Sequence, residues 1–149
     1  MHKNYSRVDI VSIKQSVVKI VILFVITFSL YQPVWLLKVR LTINKLSSNI
    51  KISAAIPVIF LLIATIYLLV AFFEGGIEAL SPGSLYLGYL SSLSNILFYM
   101  LIFCNISIIL MCFQIRRILL NHYGANLSIS AFATFFFGIF YLQHKINKL

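Results

Sequence analysis

The chain has 149 residues, of which 61% are hydrophobic and 10% charged, and its twelve Lys and Arg against three acids give a net charge of +9. A mean hydropathy of +1.01 leaves too little polar surface for a water-soluble domain of this length. The isoelectric point of about 9.8 does not point to nucleic acid, because the basic residues bracket apolar segments and so face a membrane surface with anionic headgroups. The length allows one domain.

Residues 1–19 are mixed. Val8, Val11 and Val18 recur at near-helical spacing, as do Ile10, Ile13 and Val17, with Lys3, Arg7 and Lys14 on the other side. This pattern predicts a basic amphipathic leader at the interface. The first apolar stretch, 20–37, has 18 residues, the short end of the ~17–25 needed to span. It carries Thr27, Ser29, Gln32 and Pro33, and no small-x-small cleavage site follows it. No lipidation signal is apparent at the C-terminus. The second stretch, 52–73, has Pro57 near its start, where a missing amide costs little. The third, 85–113, is longer than a hydrocarbon core requires. The fourth, 127–142, is short, with Ser128, Ser130 and Thr134 at its entry.

The positive charges choose between two topologies. If all four stretches span, Lys and Arg divide six against six between the two sides. If only the central stretches span and the terminal ones turn back inside the membrane, all twelve fall on one side. The connection from Glu74 to Gly83, with two of the three acids and no Lys or Arg, then lies opposite. The second arrangement obeys the positive-inside rule and accounts for the shortness of the outer stretches. Ser29 to Pro33 and Gly138 are the places where such hairpins would turn. The predicted fold is therefore an all-α integral membrane protein with four membrane-embedded helical segments. Two are central spans, and the two terminal segments are either re-entrant hairpins or full spans.

The two outer stretches resemble each other. Thr27-Phe28 recurs as Thr134-Phe135 at an offset of 107, where Lys38 also meets Lys145. Ile43 to Leu46 is repeated as Ile146 to Leu149 at an offset of 103. Thr27-Phe28-Ser29-Leu30-Tyr31, followed by Trp35 and a basic exit, resembles the opening signature of a bacterial membrane family catalogued as domain of unknown function 4234. The signature differs here in having Ser29 where the family pattern has Gly, and Val34 before Trp35. Phe137-Gly138-Ile139-Phe140-Tyr141-Leu142-Gln143, with Asn147, resembles the closing half of such proteins. The resemblance implies a bacterial inner-membrane location and brings no activity with it.

The inventory argues against most chemistry. Three acids, Asp9, Glu74 and Glu78, cannot furnish a carboxylate cluster for magnesium or calcium. His2, His122 and His144 lack metal-ligand spacing. No motif supports a Ser–His pair. No cofactor and no enzymatic activity are expected. Cys104 and Cys112 are separated by ~12 Å of helical rise, too far for a disulfide, and read as packing residues. Asn105-Ile106-Ser107 and Asn126-Leu127-Ser128 have the form of glycosylation acceptors and are read as chance. Glu74 and Glu78 stand four residues apart, a hydrated rim or else an ion site. Ser84, Gly88 and Ser92 form a small-residue stripe, with Ala64, Ala71 and Gly75 as a complementary stripe. Their partner is either a helix of the same chain or a second copy. Asn95 and Asn105, with nearby serines, would line a polar face if one exists. The function expected is a non-enzymatic membrane protein with a structural or protein-interacting role. Its partners are the bilayer and either a second copy or another membrane protein, with no nucleic acid. The alternative is a small oligomeric channel or transporter subunit.

Overall fold

A computed structural model describes residues 13–27, 29–46, 50–83, 85–124 and 127–149. Among them are five helices and no strand: α1 (Val17–Ile26), α2 (Tyr31–Leu46), α3 (Ala55–Leu80), α4 (Leu85–Tyr123) and α5 (Ala131–Asn147). The expected leader helix falls mostly on 1–12, outside the described residues. Its last part is corrected. Lys14 to Ser16 are not helical, and α1 starts at Val17. The backbone there is held from outside, since side chains of the C-terminal segment bond to Ile13 O and Gln15 O.

The first apolar stretch is not one helix. Thr27 ends α1 by donating its hydroxyl to Leu23 O at 2.6 Å, and Thr27 Oγ1 also accepts from Tyr31 N at 3.0 Å. Ser29, at φ 72°, carries the chain through the left-handed region. Pro33 does not make the turn. It is the third residue of α2, in a first turn whose amides have no intrahelical partner. The chain then reverses. Trp35 Nε1 and Ile13 O bind the two ends of one amide, that of Gln143, at 2.7 and 3.1 Å. A continuous helix would hold residues 13 and 35 ~33 Å apart.

The fourth stretch reverses as well. Ser130 caps α5 by accepting from Ala133 N at 3.3 Å. Gly138 breaks the helix with φ 41° and ψ −115°, a conformation outside the helical region. Tyr141 then returns to the start, its hydroxyl accepting from Ser130 N at 2.9 Å. A straight helix would separate those two residues by ~16 Å, far beyond a tyrosine's reach. Ser29 and Gly138, the positive-φ residues at the two breaks, lie 109 positions apart.

Between the hairpins stand α3 and α4, joined at 81–84. Both are longer than their apolar stretches. α3 continues through Glu74 to Leu80, so Glu74 and Glu78 are helical rather than in a loop. α4 runs past Arg116 and Arg117 to Tyr123. Both helices are long and apolar enough to cross a membrane, and only 22% and 28% of their most apolar windows are buried. Phe72 and Phe103, for example, are 77% and 70% exposed. A helix at the centre of a water-soluble domain would be covered on most sides, and these are not.

The core sits at one end. Trp35, Leu36 and Ile43 of α2, Ile115, Ile118 and Leu119 of α4, and Leu142 and Ile146 of α5 are fully buried together with Ile20. On α4, burial begins at Leu97, with no buried residue from 85 to 96. On α3, none lies beyond Val70. Lipid offers apolar side chains as good an environment as protein does. A dense core is therefore favoured near the level of Arg116 and Arg117, where water competes, and not further along.

Candidate functional site

Two features stand out: a buried amide network where the hairpins meet, and cavities at their tips. The network centres on Gln143, which is completely buried. Its Oε1 accepts from the Trp35 indole at 2.7 Å. Its Nε2 donates to Ile13 O at 3.1 Å and to Asn147 Oδ1 at 2.8 Å. Asn147, one turn further on, donates to Gln15 O at 2.7 Å, and its Oδ1 accepts from Gln15 N at 3.3 Å. Gln15 Oε1 in turn accepts from the Tyr31 hydroxyl at 2.9 Å. Three segments are thereby tied together: the non-helical entry segment at Ile13 to Gln15, α2, and the return arm of α5. A second polar anchor joins the entry of α5 to α4, where Arg116 Nε donates to Ile129 O at 2.9 Å.

The tips lie further along α4. Thr27, Ser29 and Leu30 line a groove of about 500 Å³ together with Ala64, Tyr67 and Asn105. Asn105 also borders a smaller space, about 200 Å³, between Cys112 and the break at Gly138. A Cβ at Gly138 would lie 3.8 Å from Cys112 Sγ, in ordinary contact. Asn105 thus stands beside both breaks, eleven residues or ~16 Å of helix from Arg116.

The polar residues of α3 and α4 are mostly spent on their own helices. Asn105 Nδ2 donates to Leu101 O at 2.9 Å, Ser92 Oγ to Gly88 O at 2.8 Å, Ser107 Oγ to Phe103 O at 3.1 Å and Thr65 Oγ1 to Leu61 O at 2.8 Å. Back-bonding of this kind lets a polar side chain sit against lipid without an unmet donor. Asn95 is exposed, Glu74 half-buried and Glu78 exposed. The Glu pair shares a face at the far end of α3, away from both hairpins.

Ala64 is buried and Ala71 half-buried, but Gly88 and Ser92 lie on the outside, and a Cβ at Gly88 meets nothing within 4 Å. Ser84 lies outside the described residues. Within one chain, therefore, the Gly88 stripe is not where α3 and α4 meet. Gly88→Leu is expected to leave the unfolding midpoint of the monomer unchanged. A shift in oligomer size in detergent would then report a second copy on this face, and the monomer's stability is the control.

Among the described residues no group of three or more His, Cys, Asp and Glu could hold a metal ion. Sequence reasoning missed the partnership of Trp35, Gln143, Asn147 and Gln15. The signal was present as an amide pair four residues apart, Gln143 and Asn147, beside the sole tryptophan of the other outer stretch. What was missing was the fold-back that brings them together. Compared with protein-family models, curated proteins and solved structures, the chain matches none.

Proposed function

We propose that the chain is a multi-pass integral membrane protein in which α3 and α4 span and both terminal segments enter from the cytoplasmic side and return. It acts without catalysis, as a structural or protein-interacting component of the membrane. The carrying observation is that Trp35 and Ile13 are bonded to a single side chain, Gln143, at the end of the molecule where Arg116 holds Ile129. That end also carries the basic residues, so no Lys or Arg need be translocated. The family resemblance adds a bacterial inner membrane as the location. Anionic headgroups are the natural counter-charge. Arg40 Nε is buried with no hydrogen-bond partner among the described residues.

The cavities bordered by Asn105 favour a second reading, a channel or carrier subunit that oligomerises around the hairpin tips. Broken backbone at membrane depth is tolerated where it lines such a space. Against it, the outer halves of α3 and α4 supply apolar surface and back-bonded serines rather than a polar path. Proteoliposomes decide between the two. The proposed role predicts no cation or small-solute flux above that of protein-free vesicles. Flux that Asn105→Leu abolishes would establish the rival.

A further inference from the structure

We infer that the protein is a one-sided wedge that favours membrane convex on its hairpin side. The inference rests on the proposed topology and goes beyond it. At the level of Cys112 the molecule is five helical rods across: α1, α2, the two arms of α5, and α4, since α3 starts at Ala55 and its Ile56 lies beside Cys104 and Ser107. Beyond Val70 and Leu97 only α3 and α4 remain, and no residue from 85 to 96 is buried. Taking a helix as ~10 Å wide, the base displaces roughly 390 Å² of one leaflet and the far half roughly 160 Å² of the other. The hairpin tips border α4 between Phe98 and Cys112, so the change in width falls near the bilayer midplane rather than at its surface. The base is also stiff. Gln143, Asn147 and Arg116 tie its rods together through buried or half-buried hydrogen bonds, so the width cannot relax by splaying one hairpin away. A rigid inclusion about 2.5 times larger in cross-section in one leaflet matches a bilayer in which that leaflet is expanded. In the proposed orientation this is membrane bulging toward the cytoplasm.

The test uses the full chain in giant vesicles from which narrow tubes are pulled, with Cys104→Ala and Cys112→Ala as background. Ser53 and Ser81 are exposed at opposite ends of α3. A membrane-impermeant fluorescent maleimide, added outside, marks only hairpin-out molecules through Ser53→Cys and only hairpin-in molecules through Ser81→Cys. The wedge predicts a tube-to-vesicle density ratio above one for the first population and below one for the second. Equal ratios, or the reverse order, overturn it. A second copy packed along the Gly88 face, filling the narrow half, would give equal ratios and so counts against the wedge. Failure of the topology is read separately. Lys14→Cys and Ser53→Cys, at the two ends of the first hairpin, would then label from opposite sides of the same vesicles.

Discussion

Gln143→Leu should lower the stability of the protein by about 3 kcal/mol, because it leaves the Trp35 indole and the Ile13 carbonyl buried and unpaired. Leucine fills nearly the same volume, so the loss measures hydrogen bonding rather than a cavity. The effect should fall on docking of the two hairpins against each other, not on α3 and α4. Unfolding in mixed micelles, followed by Trp35 fluorescence, is the readout, since this is the only tryptophan in the chain. The second arm of the cycle removes the donor too. Trp35→Phe with Gln143→Leu should recover part of the loss, since deleting both partners costs less than stranding one. That variant lacks the tryptophan, so its midpoint is followed by circular dichroism. An unchanged midpoint in Gln143→Leu would mean that the amide network is incidental to hairpin docking.

Gly138→Ala should cost about 1–3 kcal/mol, through the backbone alone. The φ of 41° with ψ of −115° suits glycine, whereas the nearest atom to an added Cβ, Cys112 Sγ, lies at a comfortable 3.8 Å. The substitution therefore separates conformational strain from crowding. Ser29 is the mirror case. It holds φ 72° without being glycine, so Ser29→Gly should stabilise the first hairpin by roughly 1 kcal/mol. Opposite signs at these two positions, measured by the same unfolding titration, are the signature of turns that both use left-handed backbone. A helix running straight through either position would give the opposite order, with alanine favoured at 138 and glycine penalised at 29.

Charge and length leave the terminal segments as either re-entrant hairpins or full spans, and the backbone reverses in both. Eighteen apolar residues with Ser29 and Gln32 inside, and a six-against-six charge split for four spans, pointed to a reversal. Which residue would turn was less legible. Pro33 attracted attention as a helix breaker, yet proline is welcome in the first turn of α2, and the turn fell to Ser29 instead. α3 and α4 extend beyond the apolar stretches 52–73 and 85–113. Apolar stretches mark where lipid is, while helices continue into water as long as residues such as Glu78 or Arg117 suit them. The Gly88 stripe had the right pattern for close packing, but a pattern on one helix does not name its partner. The Gln143 network was hidden because its members are 108 to 132 residues apart. No local rule joins them until both hairpins have folded back.

Both terminal segments are expected to enter and leave the membrane on one face. Single cysteines at Lys14, Ser53, Asn121 and Lys148, each in the Cys104→Ala, Cys112→Ala background, bracket both hairpins, and one at Ser81 marks the opposite face. Intact cells are treated with a membrane-impermeant maleimide before and after permeabilisation. The expected result is labelling of Ser81→Cys in intact cells and of the other four only after permeabilisation. Labelling of Ser53→Cys or Asn121→Cys from outside would make the terminal segments full spans, and the hairpins, the wedge and the one-sided charge would fall together.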